Sequence, residues 1–173
     1  RKAFTFEQFS TLLKVATGEM KGLIYLQGLA GLRLGDASRL RWDSIDLKGA
    51  GGVGVITFTP DKDPHGTEHT TPLHPNLRRY LEILKKKAKE NEPCIFPSLS
   101  RRAVSGNAGL SRLFKKAMRE AGISSEWQKA VGDNGKRVAT LSNHSLRYYA
   151  TTSQRESGIS SENRKDIIGH RSD

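Results

Sequence analysis

The sequence predicts a single, mainly α-helical α+β domain with a small antiparallel β-sheet. Apolar residues recur at helical period through most of the 173 positions, and one stretch reads as two short strands around a turn. A 35% apolar content supplies one buried core. Domains run on the order of 100 to 200 residues, so residues 1–173 are expected to form one domain rather than two.

Thr5 and Gln8 have the spacing of a capping box, and Phe6, Phe9, Leu12, Leu13 and Ala16 follow at helical period. A first helix is expected over about 5–17, with Gly18 ending it. From Glu19, the run through Leu23, Ile24, Leu26, Leu29 and Leu32 is apolar on most faces, as a helix in the middle of a domain is. Arg39, Leu40 and Trp42 continue a short helical piece from Gly35, and Gly49 to Gly54 breaks the pattern.

Val53, Val55, Ile56 and Phe58 read as one strand and Thr70, Thr71 and Leu73 as another, with Pro60, Asp61, Asp63, Pro64 and Gly66 in the turn region. Pro75 suits the first turn of a helix carrying Leu77, Tyr80, Leu81, Leu84 and Ala88. Its last turns hold Lys85, Lys86, Lys87 and Lys89, read as a solvated face at the negative end of the helix dipole. Leu110, Leu113, Phe114, Ala117 and Met118 give a helix ending at Gly122, and Asp133-Asn134-Gly135 has the chemistry to close a second hairpin. Two helices finish the chain, from about Asn143 through Arg155 and from Ser161 through Ile168, each stopped by a glycine.

The charge balance narrows the partners. With 29 Lys and Arg against 18 Asp and Glu, the net charge of +11 suits a polyanion, nucleic acid first. A membrane surface is disfavoured, because no run of about 18 apolar residues exists and the basic residues are scattered. Cys94 is the one cysteine, which excludes an intrachain disulfide and suits a reducing, cytoplasmic setting. The chain begins at Arg1 without a charged-then-apolar leader, and an upstream segment is expected.

Four places put cations or histidines where packing does not ask for them. In Gly31-Leu32-Arg33-Leu34-Gly35-Asp36 an arginine follows a nearly all-apolar helix, and burying its guanidinium requires a carboxylate or a phosphate. Asp36 is either a plain salt-bridge partner or the brace that turns Arg33 toward a substrate phosphate. Lys62 lies in the turn between the strands, where a lysine is ordinarily exposed decoration. His144 and Arg147 stand at i and i+3 on one helix face: either a capping histidine beside a surface arginine, or a base beside an anion site at a positive helix end. His170 follows Gly169 just past a helix end, where a positive side chain satisfies terminal carbonyls. His65, His69 and His74 lack the cysteine or carboxylate partners of known metal motifs, so neither a metal nor a cofactor is expected.

The order of these pieces joins them. Gly31 through Leu40, followed by Trp42, resembles the first arginine motif of the tyrosine recombinases, the phage-integrase family. Lys62 falls between two strands as the family lysine does. Asn143-His144-Ser145-Leu146-Arg147-Tyr148-Tyr149-Ala150-Thr151-Thr152 resembles the second motif, and Ile167-Ile168-Gly169-His170-Arg171-Ser172 the third. The resemblance spans nearly the whole chain and implies the family's catalytic fold.

It also implies an activity: site-specific DNA recombination, integrating or excising a phage or mobile element, through a 3′-phosphotyrosyl intermediate. Arg33 and Arg147 would hold the non-bridging oxygens of the reacting phosphate, and His170 would donate a further hydrogen bond. His144 would act as base on a tyrosine, and Lys62 as acid for the departing 5′-oxygen. The implied partners are double-stranded DNA and further copies of the chain in a tetrameric synapse.

The family's tyrosine follows the third-motif histidine, whereas this chain ends at Asp173. The nucleophile and an N-terminal DNA-clamping domain are therefore expected outside residues 1–173, and these residues alone are expected not to cleave. Tyr148 and Tyr149 follow Arg147 on its helix and are expected to pack, as are Tyr25 and Tyr80. Two other readings stay open: a DNA-binding module that keeps the pocket without cutting, and a host-serving recombinase that resolves DNA dimers.

Overall fold

The computed structural model describes residues 2–61, 63–129 and 137–163. Helix α1 (Phe6–Val15) opens on the expected capping box: Thr5 N donates to Gln8 Oε1 at 3.0 Å, and Gln8 N donates to Thr5 Oγ1 at 3.2 Å. Helix α2 (Gly18–Leu29), helix α3 (Leu34–Ser38), a 3₁₀ turn (Trp42–Ser44) and strand β1 (Ile45–Asp46) follow. Strands β2 (Val55–Phe58) and β3 (His69–Pro72) lead into helices α4 (Pro75–Lys87), α5 (Pro97–Ala103) and α6 (Ala108–Glu120). Strands β4 (Trp127–Lys129) and β5 (Arg137–Ala139) precede helix α7 (Asn143–Glu156). The first sheet runs β1-β2-β3 and is antiparallel, with Ile56 opposite both Ile45 and Thr71; the second is the β4–β5 pair.

Helix α2 is the axis of the fold. Leu23 and Leu26 join one apolar cluster with Ile56, Leu77, Leu81, Phe96 and Leu110. Ile24 joins a second with Phe9, Leu12, Phe114, Leu146 and Tyr149. A helix with core on both sides has no face to leave polar, which explains its nearly continuous apolar run. Two glycines let aromatic rings close on it: a Cβ on Gly22 would run into the Phe96 ring, and one on Gly28 into the Phe9 ring. Phe9 in turn stacks on Tyr149, with ring centroids 4.4 Å apart, so α1 helps seat α7 along α2.

Several boundaries differ from expectation. Gly18 does not end α1 but opens α2 at φ +52°, because Ala16 and Thr17 are already extended. Helix α2 stops at Leu29 rather than running through Leu32, because Gly31 takes φ +68° and turns the chain. The piece expected from Gly35 to Trp42 is a five-residue helix and a separate 3₁₀ turn. Helix α5 is an addition that local periodicity does not show. Its amides are capped from afar, Ser98 N and Leu99 N donating to the Glu19 carboxylate at 3.1 and 2.8 Å. Residues 161–163 begin the last expected helix, while its remainder and the Asp133-Asn134-Gly135 turn lie outside the described residues. Among the described residues no helix is long and apolar enough to cross a membrane.

Candidate active site

The turn after α2 presents Arg33. With Gly31 at positive φ, the chain reverses into Arg33, which caps α3 with extended backbone (φ −67°, ψ 154°) and stays half-buried. Helix α7 brings the second motif to the same place. Ser142 is its N-cap and donates from its backbone N to Ser145 Oγ at 3.1 Å. His144 then falls in the first turn and Arg147 one turn later on the same face. Arg147 is only 4% exposed, and its Nη1 donates to the Gly31 carbonyl.

Arg33, His144 and Arg147 line one cavity of about 590 Å³, shared with Asp36, Arg39 and Asp61. Burial, and after it the neighbouring charge of Arg33, pushes the Arg147 guanidinium down to about 10, while Asp36 and Tyr148 pull it back up. Asp36 therefore acts on Arg147, the arginine of the other motif. Its Oδ1 also accepts from Asp61 N at 3.2 Å, and Asp61 forms an ion pair with Arg39. That chain of contacts fastens the segment after β2 to α3 at the cavity's edge.

Of the five residues singled out from the sequence, three thus meet in one place. Lys62 and His170 lie outside the described residues. The grouped histidines are separately employed: His74 Nδ1 accepts from Asn76 N at 3.2 Å to cap α4, and His69 Nε2 stands 3.7 Å from Asp63 Oδ2. Among the described residues no tyrosine lines the cavity. Tyr149 stacks on Phe9, and Tyr25 packs on Tyr80, whose hydroxyl donates to Gly18 O at 2.9 Å. Tyr148 is 43% exposed and sets its ring edge-on to His144 at 4.9 Å.

Sequence reasoning missed Gln27 and Asn143. Both are buried and line the cavity. Among the described residues, Gln27 Nε2 and Oε1 and Asn143 Nδ2 have no hydrogen-bond partner. The one available signal was an amide inside an otherwise apolar helix. Arg39, Lys115 and Arg137 also line the cavity, from α6 and β5 in the last two cases and from the end of α3 in the first. The guanidiniums of Arg33 and Arg147 and the imidazole of His144, lining one cavity, can bind a tetrahedral oxyanion and stabilise added negative charge on it.

No curated protein sequence matches the chain. Its fold is similar to that of the XerA recombinase, with a TM-score of 0.73 and 16% identity over 99% of this chain and 57% of XerA. It is similar to the lambda integrase catalytic core, with a TM-score of 0.66 and 19% identity over all of this chain and 94% of that one. The catalytic domain of bacteriophage HP1 integrase matches with a TM-score of 0.62 and 17% identity, over 99% of this chain and 83% of that domain. The chain thus spans little more than half of XerA. The sequence pattern of the phage integrase family matches residues 2–173, so the chain belongs to that family, and its fold is the tyrosine-recombinase catalytic fold.

Proposed function

We propose that the chain is the catalytic core of a site-specific DNA recombinase that integrates or excises a phage or other mobile element, cutting and rejoining DNA inside the cell. The observation that carries this reading is the convergence of Arg33, His144 and Arg147 on one cavity. In it the cavity takes one phosphodiester. A tyrosine oxygen attacks the phosphorus, the bond from phosphorus to the 5′-oxygen breaks, and a 3′-phosphotyrosyl ester forms.

Negative charge gathers on the two non-bridging oxygens, where Arg33 and Arg147 donate; preorganised donors of this kind are worth about 3 kcal/mol each. His144 takes the tyrosine proton, Lys62 supplies a proton to the departing 5′-oxygen, and His170 adds a hydrogen bond to the phosphate. The place of Asp61 at the cavity edge supports the role given to its neighbour Lys62. Reversal of the step by a 5′-hydroxyl rejoins the strand without ATP or metal. The attacking tyrosine comes from outside residues 1–173 in this reading, since Tyr25, Tyr80, Tyr148 and Tyr149 do not line the cavity.

The net charge of +11 supports double-stranded DNA as the partner. So do structural relatives: XerH is bound to its difH substrate, and lambda integrase stands as a tetramer on a Holliday junction. The test uses the full-length protein that contains this domain and a nicked suicide duplex. The expected result is a covalent protein–DNA adduct that is lost in Arg33→Ala and Arg147→Ala. Salt-sensitive DNA binding with no adduct would favour a DNA-binding module that keeps the pocket without cutting, the reading that a cavity without tyrosine motivates.

A further inference from the structure

The β4–β5 ribbon carries an arrangement that folding alone does not call for. Its register pairs Trp127 with Ala139 and Lys129 with Arg137. Opposed residues share a face and so do residues two apart on a strand, so Trp127, Lys129, Arg137 and Ala139 stand on one side of the ribbon. Like charges directly opposite each other weaken a strand pair. Lys129 and Arg137 are both exposed, and among the described residues neither has an acidic ion-pair partner. No third strand joins the ribbon among the described residues, so nothing in the sheet offsets that repulsion.

Trp127 shares this face and is 56% exposed. It lines the cavity of Arg33 and Arg147 and also a neighbouring one of about 200 Å³ that holds Arg119 and Ser125. Lys115 Nζ, from α6, sits 5.5 Å from the indole centroid, and Arg137 lines the first cavity. A flat aromatic surface ringed by cations thus stands at the rim of the anion pocket. An isolated anion has use for the cations but none for the indole. A DNA strand offers both, because its phosphates alternate with deoxyribose rings that can pack on an aromatic face.

We propose that the β4–β5 ribbon tracks the DNA strand beside the pocket. Lys129 and Arg137 take the phosphate adjacent to the one held by Arg33 and Arg147, and Trp127 packs on the deoxyribose between. This inference rests on the reading of the cavity as a DNA-phosphate site.

Trp42 is the only other tryptophan, so a Trp42→Phe background makes Trp127 the sole reporter. Labelled duplex DNA is titrated, with anisotropy of the label and Trp127 emission read together. Trp127 emission is expected to change along the anisotropy curve. Trp127→Ala is expected to weaken binding about fivefold while leaving its salt dependence unchanged. Lys129→Ala and Arg137→Ala should each lower the slope of log affinity against log salt by about one. Lys129→Glu creates an opposite-charge pair with Arg137, so it should raise Tm while weakening DNA binding.

If DNA binds, and Arg33→Ala weakens it, while Trp127 emission stays fixed and Trp127→Ala binds as the parent does, the ribbon proposal is overturned and the pocket reading stands. If neither readout detects salt-dependent DNA binding, the pocket reading falls and takes the ribbon proposal with it.

Discussion

The Arg147 guanidinium donates to the carbonyl of Gly31, so the arginine of one motif grips the turn that presents Arg33, the arginine of the other. The two positive charges are brought together and one of them is almost wholly buried. Arg147 is pushed down to about 10 by burial and by Arg33. Its folded-state value is below its ordinary one, so between the two the unfolded chain binds more protons. The charged guanidinium therefore opposes folding in full at neutral pH, and that opposition fades as pH rises through about 10. An anion in the cavity relieves the same strain without a pH change.

Inorganic phosphate is accordingly expected to raise the Tm of the chain at neutral pH, with about 2.7 kcal/mol of stabilisation at roughly 100 times its Kd. Arg147→Met should abolish most of that response, and Arg33→Ala should reduce it. Thermal unfolding with and without phosphate measures this, and an undiminished response in Arg147→Met would sink the convergent-arginine account.

Gln27 makes a second case. Its amide is 1% exposed, and neither of its polar atoms has a partner among the described residues. A buried amide without a partner costs on the order of 1–3 kcal/mol relative to an apolar side chain of similar size. Gln27→Leu is therefore expected to stabilise the chain by about 1 kcal/mol in urea unfolding. A loss of stability instead would mean that the amide is satisfied in the folded chain.

What could be read from the sequence follows from where each determinant lies. The capping box of α1 and the spacing of His144 and Arg147 are local, set by residues three apart, and both hold in the structure. The all-round apolar run of α2 announces a central helix for the same reason. Helix α5 escapes because its first amides are satisfied by Glu19, far off in the chain. The partner of Asp36 escapes likewise: its charge acts on Arg147, and no spacing rule links those two positions. Gln27 interrupts the apolar run of α2, and only the packing of α2 against α7 shows it facing a cavity.

The Phe9–Tyr149 stack should be a stability element without catalytic weight. Tyr149 is buried, and burial pushes its hydroxyl up, away from the range in which it would serve as a nucleophile at neutral pH. Tyr149→Ala is expected to cost about 3–5 kcal/mol, and Gly28→Ala, which drives a methyl into Phe9, about 1–3 kcal/mol. Tyr149→Phe keeps the ring and should leave the phosphate-dependent rise in Tm intact. A phosphate response lost in Tyr149→Phe, with folding unchanged, would show that the hydroxyl belongs to the site.

Glu19 tests whether α5 depends on its distant cap. The helix has only seven residues, too few to be stable alone, yet it places Leu99 and Ala103 in the core. Both carboxylate oxygens of Glu19 are engaged, one with Ser98 N and the other with Leu99 N. Glu19→Ala leaves both donors without that partner and should cost about 1–2 kcal/mol, in the range of losing an N-cap. Glu19→Gln keeps one acceptor oxygen and should cost less. Because α5 packs on α3 as well as on α6, hydrogen exchange should quicken at residues 97–103 before it does in α7. Uniform loss of protection across both helices would mean that Glu19 supports the whole fold rather than this one turn.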